Sequence, residues 1–512
     1  MLTAVAGSGK TFTLIEMLKA ITGKTDVAFC AFSKNISVEI AKKVRDIENE
    51  LTCKPYVGTC HSFGNAELKK RFAKSMLMDS DSAPQKKIDV LMDKVVNKTT
   101  NEVGVPIEYR AFVRKAYSLA RQWGVNVMPE FPMASQEAWL KLVDHFDLED
   151  ELFDGDDMPW DLSSHIREAV NWTVRVIKLG VAMAETMYDF EDMIYLPLVY
   201  NMKMQQYDVV FVDECQDLNP TRRALAQKML KVGGRAVFVG DPRQAIFGFT
   251  GADHMSVDNI IRDFNCTVLP LSWSFRCPKT VVQFAKKWVN HIESTPDAPE
   301  GITETINEKN FWSMSFNASD AVLCRNNAPL VDLFFSLMAK GIPAHIEGKD
   351  IAADLIKMVN RFPKVKKMST LVEKLIDHKE KKVQKYNAKG QELKAERIAD
   401  VIDAIVTVAE NLPADSPVSD LRTRITSMFQ NADGEKVKTL TLTTIHKAKG
   451  REFPRVFWWG RNLYNPSKYA RKDWQILAED NLCYVAATRS KAELYDVQLE
   501  VPEVRDRNTI FS

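Results

Sequence analysis

The feature that most constrains this chain is a repeated alternation of short apolar runs with helical stretches. Runs rich in β-branched and aromatic residues lie at 26–32, 207–214, 235–241, 321–325, 439–445 and 455–460. A continuously apolar strand is typical of a parallel sheet, because helices cover both faces of such a sheet. The alternation therefore predicts an α/β fold built on parallel sheets.

The length and the order of these patterns predict several folded units. At 512 residues the chain is too long for one ordinary core, and about three or four units are expected. Two α/β blocks are each interrupted by a mainly helical stretch. The predicted parts are a first core at 1–64 and 186–270, its helical insertion at 65–185, a second core at 271–351 and 433–505, a short helical insertion at 352–432, and a tail at 506–512. The charged run 364–397 predicts exposed helices, either a solvated face or a partner-binding one.

Composition excludes several classes of protein and leaves others open. With 45% hydrophobic and 27% charged residues the chain is typical of a globular protein. The net charge of +1 does not indicate a nucleic-acid binder, so any such site must be a local groove. No Cys-x-x-Cys pair supports a zinc or iron–sulfur site. No signal-peptide pattern or membrane-length apolar run is present, so we expect a cytoplasmic protein without membrane association.

Phosphate binding is indicated by the turn Ala4–Thr11, which joins a short strand to the helix 12–21. Successive N–H groups of such a turn, together with the N-terminus of the helix, can surround phosphate oxygens. The candidates for this cradle are Ala6, Gly7, Ser8 and Gly9. Lys10 would reach the β- and γ-phosphates of ATP, and the hydroxyl of Thr11 would bind Mg²⁺. A glycine-rich turn without a ligand remains the alternative for this motif alone.

A pair of carboxylates completes the predicted nucleotide site. The apolar strand 209–212 ends in Asp213 and Glu214, and the carboxyl ends of parallel strands line the ligand-binding edge of α/β sheets. Asp213 is predicted to hold Mg²⁺, and Glu214 to act as the general base for the attacking water. Capping of the next helix is the alternative. Together with the glycine turn, the pair predicts hydrolysis of ATP.

Further motifs in the same order make the chain resemble the UvrD/Rep/PcrA-type helicases of superfamily 1. The resemblance covers nearly the whole sequence, and the order of the motifs is more specific than any one of them. Besides the glycine turn and the carboxylate pair, the matching segments are 32–35, 58–63, 189–193, 239–249, 271–276, 321–327, 341–343, 443–453 and 482–489.

The resemblance implies two RecA-like P-loop NTPase cores and assigns further residues to catalysis. Gln244 would sense the γ-phosphate. Arg276 and Arg489 come from the second α/β block and would stabilise the charge on the transferring phosphoryl group, so that hydrolysis depends on closure of the two cores. The resemblance also assigns Phe275 as an adenine-stacking ring, Glu452 as a ribose contact, and Gly450 as part of the nucleotide site.

The same resemblance implies a path for single-stranded nucleic acid, which needs phosphate contacts and stacking faces. The predicted stacking rings are Phe32, Phe63, Phe247 and Phe249. The predicted polar contacts are Thr59, His61, Arg325, Thr443 and His446. Core packing is the alternative for every ring beside a strand, above all for Phe63.

Some positions depart from the family pattern. The family's adenine-reading glutamine upstream of the glycine turn is missing, so either adenine selectivity differs or the natural chain begins further upstream. Phe12, Thr250, Lys447 and Asn481 replace residues that are usual in the family. The short second insertion suggests a reduced motor from a virus or another compact genome, and a viral protein of this kind would act in the host cytoplasm.

Together the motifs predict an ATP-dependent single-stranded DNA translocase and 3′–5′ helicase that acts on single strands and single/double-strand junctions. The polarity follows from the resemblance alone. One alternative is a nucleotide-gated strand-binding or protein-displacing translocase that does not unwind duplexes. Another is a P-loop kinase, which leaves the stacking rings and the distant arginines unexplained. Protein partners are not predicted.

Overall fold

The structure is a computed structural model that describes residues 1–78, 86–97, 99–152, 161–246, 255–388, 391–413, 416–430 and 439–500. These residues form two compact units. The first contains the described parts of Met1–Ala4 and Gly9–Leu271, and the second those of Val5–Ser8 and Ser272–Ser512. A search of the described helices finds none with the length and apolar character that a bilayer crossing requires.

The first unit alternates strands and helices around a longer helical segment. Its strands are β1 Leu2–Ala4, β2 Val27–Ala31, β3 Tyr56–Thr59, β4 Met76–Leu77, β5 Met187–Tyr188, β6 Tyr207–Val212, β7 Leu230–Gly240 and β8 Leu269–Leu271. Its helices are α1 Lys10–Lys19, α2 Lys34–Asp46, α3 Cys60–Arg71, α4 Lys87–Lys94, α5 Arg110–Gln122, α6 Gln136–His145, α7 Leu162–Ala182, α8 Asp192–Val199, α9 Pro220–Lys228 and α10 Ser256–Asp263.

Six strands of the first unit form one parallel sheet in the order β3-β2-β6-β7-β1-β8. Every residue of β2 is buried, which explains the continuous apolar sequence Val27–Ala31. Parallel strands place all their carboxyl ends at one edge. Phe32, Thr59, Asp213 and Asp241 therefore lie along a single edge of the sheet, at or just beyond the ends of β2, β3, β6 and β7.

A buried network of charges joins helices of the first unit. Lys87 of α4 donates to Asp192 at 2.5 Å, and Arg121 of α5 donates to Asp192 at 2.7 Å. The guanidinium of Arg121 also holds both carboxylate oxygens of Asp189, at 2.7 and 2.9 Å. All four side chains are at least 94% buried. Two cations thus neutralise two carboxylates, and they tie α4 and α5 to the start of α8.

The second unit repeats the α/β pattern. Its strands are β9 Trp273–Ser274, β10 Glu293–Ser294, β11 Ile302–Asn307, β12 Ala321–Cys324, β13 Ala344–Glu347, β14 Phe429–Gln430, β15 Leu440–Thr444, β16 Phe453–Trp459 and β17 Ser490–Gln498. Its helices are α11 Lys279–Ala285, α12 Glu308–Trp312, α13 Ala328–Ala339, α14 Lys349–Val359, α15 Met368–Ala388, α16 Glu392–Glu410, α17 Val418–Met428, α18 Ile445–Ala448, α19 Arg461–Tyr464 and α20 Asp473–Ala487.

Seven strands of the second unit form a parallel sheet in the order β11-β17-β16-β12-β15-β13-β14. Described residues of helices α14 to α17 pack into the hydrophobic core of this sheet. Leu375 of α15, Ile405 of α16 and Leu421 of α17 belong to the same hydrophobic cluster as Val322 and Phe457 of the sheet. The two parallel sheets confirm the predicted α/β class with two RecA-like cores.

Candidate functional site

The lysine and threonine of the glycine turn lie against the two strand-end carboxylates in the first unit. The ammonium of Lys10 donates to both carboxylate oxygens of Glu214 at 2.7 Å. The hydroxyl of Thr11 donates to Oδ2 of Asp213 at 3.3 Å. Helix α1 begins at Lys10 because Gly9 takes a left-handed conformation, with φ of 76°, which glycine adopts without strain. Residues more than 200 positions apart in sequence thus form one cluster.

Burial and charge set the protonation of this cluster. Burial, followed by the charge of Glu214, raises the pKa of Asp213 to about 6. Burial alone would lower the pKa of Lys10, but the nearby carboxylates Glu214, Asp213 and Asp241 raise it instead. Lys10 is therefore a charged ammonium at neutral pH, with three carboxyl groups around it. Such a cation suits a phosphate group, which carries the same kind of charge as these carboxylates.

The hydroxyl of Thr11 beside the carboxylate of Asp213 fits a Mg²⁺ site. Mg²⁺ prefers oxygen ligands, and it usually takes one or two from the protein while phosphates and water complete its octahedron. Asp213 is 97% buried, so its oxygens are shielded from bulk water. These two residues provide the ligand types that the prediction requires.

Gln216 is a residue of this cluster that the sequence analysis did not single out. Its amide donates to Oε2 of Glu214 at 2.5 Å, and its carbonyl accepts the N–H of Asp241 at 3.1 Å. Asp241 in turn accepts from the side chain of Gln244 at 2.7 Å. Gln216 therefore links the candidate base to the loop that carries Gln244. Its one sequence signal is its place two residues after Glu214.

Gly240 allows this close approach of β7 to Gln216. A Cβ atom at position 240 would lie 2.4 Å from Oε1 of Gln216 and 2.7 Å from the sulfur of Cys215. Neither distance is compatible with a real side chain, and Gln216 is 99% buried, so it has little room to move. The glycine is required here for space and not for a special backbone conformation.

The turn Val5–Ser8 lies with the second unit. The N–H of Ala6 donates to the hydroxyl of Tyr484 at 2.7 Å, and the carbonyl of Gly7 accepts the N–H of Phe275 at 2.9 Å. The buried hydroxyl of Ser8 makes no hydrogen bond to a described residue, which fits a polar ligand at the turn. Tyr484, within the segment 482–489, is a contact of this turn that the sequence did not indicate.

Both predicted arginines occur in the second unit, where they influence each other. Arg276 forms an ion pair with Glu452 at 2.6 Å and also donates to the carbonyl of Thr488. Arg489 is 99% buried and donates to the carbonyl of Val485 at 3.0 Å. Burial, followed by the positive charge of Arg276, lowers the pKa of Arg489 to about 10. The two guanidinium groups therefore form a concentrated positive charge, which suits an anionic ligand.

The other predicted nucleotide residues of the second unit are accessible. The ring of Phe275 is 69% exposed, so a flat ligand can reach it. Gly450 is exposed and has a φ of 83°, with no atom within 4 Å of the position of a Cβ. A left-handed backbone explains glycine at this position. Glu452 is engaged by Arg276, so a ribose contact would compete with that ion pair.

Five aromatic or polar side chains gather at the carboxyl edge of the first sheet. Phe32 is half-buried, and the guanidinium of Arg222 lies 4.9 Å from the centre of its ring. The ring of His61 packs on Phe190 with centres 4.1 Å apart, and half of Phe190 remains exposed. Thr59 caps helix α3 through its hydroxyl, which accepts the N–H of Ser62. Phe190 and Arg222 are additions that the sequence analysis had not assigned.

Three of the predicted nucleic-acid contacts are buried in this structure. Phe63 is 96% buried and packs its ring on Tyr56 and Tyr207, because it fills the core beneath α3. Thr443 is fully buried within β15. Arg325 is 91% buried, and its guanidinium is held by Glu479 at 2.7 Å and by Glu396 at 3.2 Å. None of the three presents a free surface.

Of the remaining predicted nucleic-acid contacts, one histidine is described by the structure and two phenylalanines are not. His446 is half-buried, and burial together with nearby cations lowers its pKa to about 3, so its imidazole is neutral at pH 7. A neutral imidazole offers one donor and one acceptor to a base or phosphate. Phe247 and Phe249 lie outside the described residues.

Two parallel α/β sheets, a glycine turn followed by Lys-Thr, and an Asp-Glu pair at a strand end define a P-loop nucleotide-binding protein with RecA-like cores. Comparison with protein families makes the assignment narrower. The UvrD/REP helicase N-terminal domain matches residues 1–265, and the UvrD-like helicase C-terminal domain matches residues 345–498. The chain therefore belongs to the UvrD/REP helicase family.

Individual relatives are distant and longer than this chain. It is 22% identical over 427 residues to the ATP-dependent DNA helicase PcrA of Bacillus subtilis, a match that covers 60% of this chain and 58% of that protein. It is 30% identical over 111 residues to the mitochondrial ATP-dependent DNA helicase HMI1 of Saccharomyces cerevisiae, covering 20% of this chain and 16% of the relative. The chain thus spans little more than half the length of PcrA.

Among solved structures, an arterivirus nonstructural protein 10 helicase aligns with 98% of this chain and 60% of its own. The sequences are 12% identical and the TM-score is 0.33. A likeness at this level adds nothing to the family assignment.

Proposed function

We propose that this chain is an ATP-dependent DNA helicase, which hydrolyses ATP while it moves along single-stranded DNA in the 3′–5′ direction. The observation that carries the proposal is the cluster of Lys10, Thr11, Asp213 and Glu214 in a chain of the UvrD/REP family. These residues supply a phosphate-binding cation, oxygen ligands for Mg²⁺ and a base for water. The relatives named helicases support the DNA substrate and the use of ATP. The polarity rests on the resemblance alone.

The contacts of Lys10 suggest how bound ATP would make Glu214 available as a general base. Lys10 donates two hydrogen bonds to Glu214, and an ammonium group has three N–H donors. A γ-phosphate beside Lys10 competes with Glu214 for the ammonium. Glu214 could then take a proton from the attacking water, while the amide of Gln216 keeps the carboxylate in place. Bound Mg²⁺ would neutralise phosphate charge at Thr11 and Asp213.

Three further residues complete the proposed hydrolytic set. Gln244, held by Asp241, would sense the γ-phosphate. Arg276 and Arg489 would stabilise the negative charge that spreads over the transferring phosphoryl group. The proposed nucleotide-binding residues also include Ala6, Gly7, Ser8, Gly9, Phe275, Gly450 and Glu452.

The proposed nucleic-acid contacts of the first unit are the residues gathered at the carboxyl edge of its sheet. Phe32 and Phe190 provide ring faces, and Thr59 and His61 provide polar groups beside them. Aromatic stacking tolerates any base, which a motor without sequence preference requires. His446 in the second unit, together with Phe247 and Phe249, stays part of the proposed path for single strands and junctions.

We also propose that each unit divides, as predicted, into a core and a mainly helical insertion, at 65–185 and 352–432.

One observation on the second insertion favours another candidate function. Helices α14 to α17 share a single hydrophobic core with the second sheet, which disfavours an independent movement of these helices. By the same resemblance, the corresponding insertion of the larger bacterial members is a mobile domain that contacts the duplex. A translocase that binds strands or displaces proteins without separating duplexes would not need such a movement. This activity is the second candidate.

Two assays separate these functions. ATP turnover is measured with and without single-stranded DNA, and with single-stranded RNA, at a fixed salt concentration. We expect strong stimulation by DNA. Strand displacement is then measured on duplexes with a 3′ or a 5′ single-stranded tail. Displacement from the 3′-tailed duplex alone supports the helicase, whereas stimulated ATPase without any displacement supports the second candidate. ATPase that ignores both nucleic acids would refute both functions.

The link made by Gln216 leads to a specific prediction. Substitution Q216L removes the hydrogen bonds to Glu214 and to the N–H of Asp241 but keeps a similar volume. A hydrogen bond to a charged group contributes about 1.5–3 kcal/mol, so we expect kcat for ATP to fall about 10- to 100-fold. The KM for ATP should change little, because Gln216 is linked to the phosphate-binding Lys10 through Glu214 and not directly.

The control for this prediction is Q227L, since Gln227 is an exposed glutamine on α9. Both variants should keep the wild-type melting temperature within a few degrees, and only Q216L should lose turnover. A Q216L enzyme with a kcat within twofold of wild type would show that Gln216 does not position the base.

A further inference from the structure

Arg222 occupies an unusual position at the carboxyl edge of the first sheet. Asn219 caps helix α9 by accepting the N–H of Arg222 at 3.0 Å, which places Arg222 in the first turn of the helix. Its guanidinium lies 4.9 Å from the centre of the Phe32 ring. It is also close to His61, because burial and then the charge of Arg222 lower the pKa of that imidazole to about 3. The arginine thus lies among the proposed nucleic-acid contacts.

Arg222 is half-buried, and among the described residues no ion pair neutralises its charge. The side chain is of intermediate exposure, and its Nε is shielded from solvent without a hydrogen bond to any described residue. The half-buried carboxyl of Glu191 is near enough for Arg222 to affect its pKa, which burial raises above the ordinary value. The adjacent Arg223, by contrast, is paired with Asp263 at 2.9 Å.

A second polar group beside Arg222 is also without a partner. His61 is 93% buried, and its Nε2 makes no hydrogen bond to a described residue. A polar atom that is shielded from water and makes no hydrogen bond is unfavourable, and both Nε of Arg222 and Nε2 of His61 are such atoms among the described residues. Two such groups at one place indicate a ligand that satisfies both of them. A guanidinium at this position favours an anionic ligand.

The rings around this position restrict what the anion can be. Phe32 lies under the guanidinium, and Phe190, half-exposed, packs on His61. In a single strand each backbone phosphate lies between two bases, and unstacked bases can pack on aromatic rings. A cation beside aromatic faces therefore fits a phosphate of such a strand. A free phosphate or a carboxylate would use the cation but not the rings.

We propose that Arg222 binds a backbone phosphate of the single strand, with His61 as a second hydrogen-bonding group and with bases on the faces of Phe32 and Phe190. This inference rests on the proposed function, since it needs a single strand at this edge of the sheet. It adds Arg222 as a phosphate contact, which the sequence motifs did not predict.

Salt dependence of binding tests the proposal. Full-length wild-type, R222M, R222K and K43M proteins are titrated with a fluorescent oligothymidine at several salt concentrations. Each lost phosphate contact on a single strand reduces the slope of log K against log salt by about 0.7. We expect this reduction for R222M. R222K should keep the wild-type slope but bind more weakly, because lysine lacks the planar fork.

K43M is the matched control for loss of one positive charge. Lys43 lies in the last turn of α2, away from the helix end that follows β2, and is paired with Glu39 at 2.6 Å. K43M should keep the wild-type slope. Equal slopes for wild type and a folded R222M protein would overturn the role of Arg222. A reduced slope for R222K, which retains the charge, would overturn it as well. Wild-type protein that fails to bind the oligonucleotide would instead refute the proposed function itself.

Discussion

Replacing Glu214 with glutamine is expected to lower DNA-stimulated ATP turnover by about 10²- to 10⁴-fold, the usual contribution of a general base. The carboxamide has the size of the carboxylate, and its oxygen can still accept a hydrogen bond from Lys10, so the fold and the phosphate site should persist. It cannot take a proton from water. The loss should therefore appear in kcat, measured at saturating ATP and DNA, while the affinity for ATP stays close to that of wild type.

Two other substitutions make this result interpretable. E39Q changes an exposed glutamate of α2 in the same way and should leave turnover unchanged. K10A removes the proposed phosphate-binding cation and the ion pair that it forms with Glu214, so both turnover and ATP binding should be lost. If E214Q hydrolysed ATP at the wild-type rate, Glu214 would not be the base. If K10A bound ATP normally, Lys10 would not contact the phosphates.

Substitution D192A is expected to destabilise the first unit by about 3–5 kcal/mol, the usual cost of removing one partner from a buried ion pair. Asp192 accepts from both Lys87 and Arg121, and these cations are 100% and 97% buried. Without Asp192, two positive charges share the single carboxylate of Asp189 in a place that water cannot reach. Chemical denaturation followed by circular dichroism measures the loss.

An exposed ion pair provides the comparison for D192A. Glu137 and Lys141 pair on α6 with side chains 78% and 76% exposed. E137A should cost less than about 1 kcal/mol, because solvent screens such pairs. A loss below 1 kcal/mol for D192A as well would mean that the network of Lys87, Arg121, Asp189 and Asp192 does not hold these helices together.

Much of the fold and part of the candidate site were predictable from local sequence. The strands β2, β6, β12 and β15 fall within apolar runs, because strands buried on both faces need continuous apolar residues. Lys10, Thr11, Asp213 and Glu214 were identified because a phosphate-binding turn and strand-end carboxylates have fixed local patterns. The structure brings these four residues together.

Other residues could not be assigned from the sequence, since their surroundings come from distant parts of the chain. Arg325 was predicted to contact nucleic acid, yet it is bound by Glu479, 154 positions away. Phe63 was predicted to stack on a base, yet Tyr207 covers it. Gln216 becomes important only because β7 runs beside it, and Arg222 only because its partner is the ring of Phe32.

The amino-acid sequence was enough to predict the α/β class, the family and the residues of local motifs, because apolar strand runs and phosphate-binding turns are patterns of neighbouring residues. Tertiary structure alone decided which of the predicted side chains are exposed, which are already paired, and which further residues join them. Burial and pairing depend on contacts between segments far apart in sequence, and no local pattern records those contacts.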